Sequence, residues 1–183
     1  MNNIFLTGER GIGKSTIING FVSTLDFLPA GFQTRMLETD NQEPDSVIIR
    51  PYKADSPYMK GATIGKDEAV VATRDNNSAT MKIDTNAFDV TGAKILRMSR
   101  EQKNPRLIIM DELGFMESEA HIFRSEVLKC LDEETPVFGV LKAGTIPFLD
   151  SIRKRDDVLV FEVTEENRDR LIAEIIVTIK ICL

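Results

Sequence analysis

The feature that most constrains the fold of this chain is the loop TGERGIGKST, residues 7–16. It follows the apolar run Ile4 to Leu6 and leads directly into Ile17 and Ile18. Residues 8–15 fit the pattern G-x-x-x-x-G-K-[ST], in which glycines allow successive backbone N–H groups to turn inward around an anion. A buried strand, a glycine-rich turn and a helix in this order predict a cradle for polyphosphate, to which the helix adds its positive end.

The loop supplies a backbone cradle and two side chains with chemical roles. We expect the Lys14 ammonium to reach the β- and γ-phosphates, which also makes Lys14 a candidate catalytic residue. We expect the Ser15 hydroxyl to coordinate a Mg²⁺ ion that bridges the same phosphate oxygens. The predicted nucleotide-binding residues of this Walker A loop are Gly8, Glu9, Arg10, Gly11, Ile12, Gly13, Lys14, Ser15 and Thr16.

The rest of the chain alternates between strand and helix patterns around a β-rich middle piece. Helices are predicted at about 14–25, 88–100, 119–132, 148–154 and from 166, and strands at 3–6, 107–110, 137–141 and 158–163. Such alternation implies a mainly parallel sheet covered on both faces. The middle piece, residues 31–85, carries short β-type runs between polar clusters, which favours antiparallel hairpins. We therefore predict a single α/β domain, residues 1–183, with a P-loop NTPase three-layer fold in which this piece is an insertion or sheet extension.

A second site element is the segment Leu107 to Glu112, in which four apolar residues end in two acids. A buried strand of this kind delivers its carboxylates to the carboxyl edge of the sheet, near Ser15. Asp111 is the candidate Walker B acid that would hold Mg²⁺, usually through a water, because Mg²⁺ keeps most of its hydration shell. Glu112 is the candidate catalytic acid, which would align or deprotonate a water for attack on the γ-phosphate.

Composition and charge exclude several other classes. Lys and Arg total 23 against 29 Asp and Glu, and a net charge of −6 has the wrong sign for a nucleic-acid partner. The first apolar run is too short for a signal sequence or a membrane span, so we expect a cytoplasmic protein without a membrane partner. His121 is the only histidine and no Cys-x-x-Cys occurs, which excludes a zinc-type site. Cys130 and Cys182 fall on or beside apolar helix faces and are interpreted as core residues.

The chain resembles the small nucleoside-triphosphatases first described in thermophilic microbes, a family that includes a human cancer-related nucleoside-triphosphatase. The resemblance runs along most of the length and rests on TGERGIGKST, GFQT, FDVTGAKIL, IIMDELGFMES and VLVFEVTEENRDRL. Its most specific piece is D-E-x-G-x-M-E at residues 111–117, because a general Walker B strand does not require Gly-x-Met-Glu after it. The resemblance implies a Mg²⁺-dependent hydrolase that converts several nucleoside triphosphates, ATP and GTP among them, into diphosphate and phosphate.

By position, the motifs of that family also assign roles to single residues. The family's phosphate-binding, metal-binding and catalytic residues match Lys14, Ser15, Asp111 and Glu112. Its Asn-Arg pair matches Asn167 and Arg168. An amide and a guanidinium that open a helix directly after a strand are also suited to contact with the base. Arg10 stands where members of the family often carry proline, so it either replaces a stiffening residue or touches phosphate. Arg10 and Arg168 are the two candidate arginine fingers.

Two other function classes fit the same loop. A nucleotide or small-molecule kinase needs arginines that close over an acceptor pocket, and the candidates are Arg35, Arg50 and Arg74. A nucleotide-dependent switch protein would order segments around the γ-phosphate. The acid after Asp111 favours water as the acceptor, hence hydrolysis of a nucleoside triphosphate. Two features keep two interpretations each: Glu117 is an orienting group or helix N-terminal charge, and the charged run 152–157 is an arginine lid or a solvated face.

Overall fold

The computed structural model describes residues 3–38, 44–53, 58–60, 64–75 and 80–182. The strands are β1 (Asn3–Thr7), β2 (Ala30–Glu38), β3 (Pro44–Pro51), β4 (Tyr58–Lys60), β5 (Ala69–Arg74), β6 (Met81–Ile83), β7 (Ile108–Leu113), β8 (Val137–Leu141) and β9 (Val158–Glu162). The helices are α1 (Lys14–Val22), α2 (Thr85–Ala87), α3 (Ala93–Arg100), α4 (His121–Asp132), α5 (Pro147–Arg153) and α6 (Arg168–Cys182). A π-helical turn, Phe88–Gly92, joins α2 to α3.

The strands form one mixed sheet in the order β6-β5-β3-β2-β7-β8-β1-β9, with β4 paired to β2 beside this path. The five strands from β2 to β9 pair in parallel, whereas β3, β5 and β6 add an antiparallel extension. The predicted α/β fold with a mainly parallel sheet and a hairpin extension is therefore confirmed. Outside the middle piece, the predicted bounds differ from those in the structure by at most three residues when the π-helical turn and α3 are taken as one helix.

Strand β2 departs from the prediction that residues 31–85 are hairpins throughout. Its first residues pair in parallel with β7, from Ala30 opposite Ile108 to Gln33 opposite Asp111. Its opposite edge pairs antiparallel with β3. The run GFQTRML thus belongs to the parallel core as well as to the extension, and it brings the residues after Gln33 next to the acids of β7.

Apolar side chains pack on both faces of the sheet, because successive residues of a strand point to opposite faces. One cluster lies between the sheet and helices α3, α4 and α5, and it includes Met110, Leu96, Phe123 and Leu149. The other lies between the sheet and helices α1 and α6, and it includes Ile109, Ile18, Phe21 and Ile175. Two helical layers around a sheet give the three-layer architecture that positions the ends of the strands.

The cysteine and membrane predictions can be compared with the described residues. Cys130 is buried in α4, and burial raises the pKa of its thiol to about 12, as suits a core residue. The side chain of Cys182 lies outside the described residues. No helix in the described part of the chain has the length and apolar character needed to cross a membrane.

Candidate active site

The loop after β1 stands at the carboxyl edge of the parallel strands, between the ends of β8 and β9. Its glycines Gly8, Gly11 and Gly13 all have positive φ, a conformation that residues with a Cβ rarely adopt. Gly8 also passes close to the segment after β9, since a Cβ there would lie 2.6 Å from the carbonyl oxygen of Val163. The N–H of Val163 donates to the carbonyl of Thr7 at 2.8 Å. The start of the loop is therefore held against the end of β9.

Lys14 opens α1 with its side chain turned back into the loop. Its Nζ donates to the carbonyl oxygens of Gly8 at 2.9 Å and Glu9 at 2.6 Å. Burial lowers the pKa of Lys14, and the negative charges of Glu112 and Asp111 oppose this shift. The ammonium is thus held near both acids. Of the other predicted loop residues, the exposed ones are Glu9, Arg10, Gly11 and Thr16, and the half-buried ones are Gly8, Ile12, Gly13 and Ser15.

Ser15 and Asp111 meet across the site, as the strand pattern predicts. The Ser15 hydroxyl donates to Oδ1 of Asp111 at 3.3 Å, and Asp111 is buried with 3% exposure. The described residues contain no cluster of three or more His, Cys, Asp or Glu side chains that could bind a metal. A hydroxyl and one carboxylate nevertheless fit Mg²⁺, which takes few protein ligands and completes its shell with water and phosphate oxygens. The donor set therefore suits Mg²⁺ bound together with a nucleotide.

Arg35 occupies the second oxygen of Asp111. Its guanidinium lies 3.1 Å from Oδ2, and both side chains are 4% exposed. The same guanidinium donates to Oε1 of Gln33 at 2.6 Å and to the carbonyl of Thr34 at 2.8 Å. The sequence suggested Arg35 as a closing arginine of a kinase. The pairing of β2 with β7 instead buries Arg35 at the edge of the sheet, where it is the ion-pair partner of the candidate metal ligand.

The other two candidate kinase arginines also lie in the sheet. Arg50 is 3% exposed, and its guanidinium lies 3.9 Å from Glu68. Arg74 ends β5, which is separated from β7 by β3 and β2. Arg35 and Arg50 are therefore buried in ion pairs and do not form a mobile cover over an acceptor pocket.

Glu112 lies at an irregularity of β7, where the peptide bond that precedes it is cis. The pairing with β8 shifts between Met110 and Leu113, and such a bulge re-aims side chains. The side chain of Glu112 is 35% exposed, and its Oε1 lies 4.0 Å from Nζ of Lys142. Burial raises the pKa of Glu112, while Lys142 and Lys14 lower it. A carboxylate with a raised pKa beside the phosphate loop suits the proton acceptor of a hydrolase.

Sequence reasoning did not identify Lys142 as a functional residue. Lys142 directly follows β8, the strand between β1 and β7. Its ammonium lies 4.5 Å from the ring centroid of Phe115, which is 47% exposed. The signal that could have found it is a lysine directly after the buried run VFGVL, because residues that follow central parallel strands converge on one edge of the sheet.

Glu117 stabilises the turn that follows β7. It is 1% exposed and accepts a hydrogen bond from the N–H of Gly114. Burial raises the pKa of Glu117 to about 7. Glu117 lies in the turn four residues before α4 and binds the backbone of that turn, so the interpretation as helix N-terminal charge is wrong, while a role as an orienting group stays a prediction. Arg124 of α4, one of the groups that Glu117 could orient, instead donates to the carbonyl of Ser118 at 2.8 Å and stacks over the ring of Phe148.

Asn167 and Arg168 lie at the start of α6 and differ in what their side chains do. The Asn167 amide accepts from the N–H of Thr164 at 2.8 Å and donates to the carbonyl of Glu162 at 2.8 Å, so it closes the turn after β9. The side chain of Arg168 is half-exposed, and Nε lies 3.6 Å from Asp169. Of the pair, Asn167 is held by the backbone of the turn, whereas the Arg168 side chain faces Asp169 and solvent.

The charged run 152–157 is neither an arginine lid nor a purely solvated face. Arg153 pairs with Asp150 at 2.7 Å and also donates to the carbonyl oxygens of Lys142 and Gly144. Arg155 pairs with Asp157 at 2.8 Å. The run thus ties neighbouring loops together.

The family model described as NTPase matches residues 3–176. The chain is 31% identical over 179 residues to the nucleoside-triphosphatase THEP1 of Thermotoga sp. (strain RQ2), covering 97% of this chain and 95% of that protein. It is 28% identical over 191 residues to the human cancer-related nucleoside-triphosphatase, covering 97% and 96% of the two chains.

Solved structures share the fold over nearly the whole chain. The crystal structure of THEP1 from Aquifex aeolicus superposes with a TM-score of 0.73 at 23% identity and covers 97% of this chain and 98% of its own. The solution structure of a human cancer-related nucleoside triphosphatase gives a TM-score of 0.73 at 21% identity and covers 98% and 97%. The fold of the chain is therefore shared with these proteins.

Proposed function

The chain belongs to the NTPase family and hydrolyses nucleoside triphosphates, and within that activity we propose how the residues of the site divide the work. The loop from Gly8 to Thr16 binds the phosphates, Ser15 and Asp111 hold Mg²⁺, and Glu112 aligns the attacking water. The products are the nucleoside diphosphate and phosphate. The observation that carries this proposal is the 3.3 Å contact between Ser15 and Asp111, which joins the phosphate loop to the acid strand.

The loop acts mainly through its backbone. Positive φ at three glycines turns N–H groups toward a bound anion, and Lys14 adds one charge beside them. These backbone contacts recognise phosphate and do not involve the base, which suits ATP, GTP and other triphosphates alike. Arg168, half-exposed at the start of α6, is the residue we propose for contact with the base.

The metal-binding pair is asymmetric because Arg35 already occupies Oδ2 of Asp111. Oδ1 and the Ser15 hydroxyl remain for Mg²⁺ or for its water ligands. Bound Mg²⁺ would neutralise charge on the β- and γ-phosphate oxygens.

Glu112 orients the nucleophile. Its carboxylate lies at the end of β7 near the charges of Lys14 and Lys142, at the side where the terminal phosphate of a bound nucleotide would lie. When ionised, it accepts a proton from the attacking water or holds this water by a hydrogen bond. The raised pKa keeps its proton affinity closer to neutral pH than that of a solvated glutamate.

The experiment that tests this proposal measures phosphate release from ATP, GTP, CTP and UTP with Mg²⁺ and with EDTA. We expect release from several nucleotides with Mg²⁺ and background release with EDTA. A Lys14→Ala preparation, purified in parallel, controls for contaminating phosphatases. Activity that persists in EDTA, or at the wild-type rate in Lys14→Ala, would contradict the assignment.

A cytoplasmic location and the lack of a nucleic-acid partner remain predictions from the sequence.

A further inference from the structure

We propose that Lys142 is a further catalytic residue of this site, whose ammonium binds the γ-phosphate beside Glu112 and makes the protein distinguish triphosphate from diphosphate. The inference rests on the proposed function, because it requires the loop after β1 to hold the nucleotide. It adds a second γ-phosphate contact, from the end of β8, to the one expected of Lys14.

The position of Lys142 follows from the order of the strands. β8 pairs with β1 on one side and with β7 on the other, and all three are parallel. Their carboxyl ends therefore meet at one edge, with the phosphate loop after β1 and Glu112 near the end of β7. Lys142 directly follows β8, so its side chain starts between the group that binds phosphate and the group that acts on water.

The backbone of Lys142 is fixed from two directions. Its N–H donates to the carbonyl of Leu113 at 2.8 Å. Its own carbonyl accepts from Arg153 at 2.6 Å, and Arg153 is in turn paired with Asp150 at 2.7 Å. A defined backbone directs the side chain to one region of the site, as a substrate-binding residue requires.

Among the described residues, the ammonium of Lys142 has only weak partners. It lies 4.0 Å from Glu112 Oε1, which is the outer limit of an ion pair, and 4.5 Å from the ring centroid of Phe115. The side chain is 44% exposed, so this pair contributes little to folding. The ammonium is therefore available to a stronger anion than the one it faces.

A second cation faces the same region. The Lys14 ammonium is turned back into the loop after β1, where it donates to the carbonyl oxygens of Gly8 and Glu9, and β1 is the neighbour of β8, the strand that Lys142 follows. Two ammonium groups that converge near one carboxylate repel each other, and a phosphate between them relieves this repulsion. The third phosphate is the one that must lie beside Glu112 for water to attack it, so the γ-phosphate is the group that reaches Lys142.

The test compares the dissociation constants of a fluorescent non-hydrolysable triphosphate analogue and of the matching diphosphate, both with Mg²⁺. Lys142→Met should weaken triphosphate binding by about 10- to 100-fold, the effect of losing one hydrogen bond to a charged group. Diphosphate binding should stay within about twofold of wild type, because the diphosphate lacks the contacted group. Lys142→Arg should restore part of the discrimination. The matched control is Lys82→Met, an exposed lysine on the edge strand β6, and it should leave both constants unchanged.

The outcomes separate this inference from the function on which it rests. An unchanged ratio of triphosphate to diphosphate affinity in Lys142→Met overturns the γ-phosphate contact. This holds even if the pH dependence of kcat shifts in the variant, because such a shift would show that Lys142 interacts with Glu112 only. Equal loss of both affinities overturns it as well, and thermal unfolding of the Met and Arg variants tells a folding defect from a binding defect. Wild-type hydrolysis that depends on Mg²⁺ and Lys14 would leave the proposed function standing in either case.

Discussion

The guanidinium of Arg35 lies 3.1 Å from Oδ2 of Asp111, and both side chains are almost completely buried. Oδ1 of the same carboxylate faces the Ser15 hydroxyl. The charge of the candidate metal ligand is therefore balanced by the protein before a metal binds, and only one of its oxygens is directed at the phosphate loop. Because only one carboxylate oxygen is free of the arginine, we expect Asp111 to contact Mg²⁺ through a water molecule, and we do not expect the protein alone to bind Mg²⁺ tightly.

Arg35→Met should destabilise the fold because it leaves the Asp111 carboxylate buried without its partner. We expect a loss of about 3–5 kcal/mol in the free energy of unfolding, measured by urea denaturation. Lys94→Met removes a cation from the exposed pair with Asp67 and should cost less than about 1 kcal/mol. Equal stability of the two variants would show that the buried pair is not structurally important.

Glu112→Gln should separate binding from hydrolysis. The substitution keeps the size of the side chain but removes its charge and its ability to accept a proton from water. We expect kcat and kcat/KM to fall together by about 10²- to 10⁴-fold, with little change in the nucleotide dissociation constant. Glu101→Gln, at an exposed position after α3, is the matched control. Near wild-type hydrolysis of ATP and GTP at saturating Mg²⁺ would remove Glu112 from the mechanism and make Glu117 the next residue to test.

Lys14→Ala, Ser15→Ala and Asp111→Asn should lose activity by different routes. Loss of the Lys14 charge should weaken nucleotide binding itself, because we expect the ammonium to bind the phosphates of the nucleotide. Ser15→Ala and Asp111→Asn should instead shift the Mg²⁺ concentration needed for half-maximal rate upward. Titration of Mg²⁺ at fixed nucleotide separates the two effects, and wild-type turnover in Lys14→Ala or Ser15→Ala would contradict the loop assignment.

Arg168→Ala should report on the base or on the transition state. Loss of a base contact changes KM and the ranking of ATP against GTP, whereas loss of an arginine finger lowers kcat by about 10³-fold or more. The half-exposed position beside Asp169 favours the first result. Arg170→Ala removes an exposed arginine two positions further along α6 and serves as the control. Unaltered KM, base ranking and kcat would assign Arg168 to the solvated surface.

Glu117→Gln should flatten the pH dependence of stability. Burial raises the pKa of Glu117 from 4.5 to about 7 in the folded protein, so the folded state holds a proton that the unfolded chain releases. The stability contributed by this group is therefore fully present below pH 4.5 and is lost as pH rises to about 7, by about 3 kcal/mol in total. Urea unfolding between about pH 5 and pH 8 measures the slope. Glu119→Gln, at an exposed position, should keep it, and an equal slope in both variants would exclude Glu117 as its source.

The phosphate loop and the acid strand could both be predicted because the residues of each are contiguous in the sequence. Three glycines, Lys14 and Ser15 specify a loop whose shape depends on its own backbone, and an apolar run that ends in two acids specifies a strand whose end carries carboxylates. The meeting of Ser15 with Asp111 follows once both strands are parallel. The strand and helix bounds were equally accessible, since periodicity reports burial locally.

The roles that the sequence leaves open or misplaces share a different cause. The sequence offers Arg35 only as a candidate closing arginine of the kinase alternative, and it leaves Glu117 and the run 152–157 with two interpretations each. In each case the group that the charged side chain contacts comes from a distant part of the chain or from a turn, and local hydrophobic periodicity reports neither. A charged residue in an otherwise polar stretch gives the same signal whether it ends in water or inside an ion pair.

The sequence by itself determined that the chain has a phosphate loop, an acid strand, a mainly parallel sheet and the family to which these belong. Only the tertiary structure decided which side chains complete the site. Arg35 reaches Asp111 across 76 residues because β2 pairs with β7 in one register, and Lys142 reaches Glu112 because β8 lies between β1 and β7. A slip of one residue in either pairing would turn these side chains to the opposite face of the sheet. Register between distant strands is fixed by the packing of both faces at once, and no local stretch of sequence contains that information.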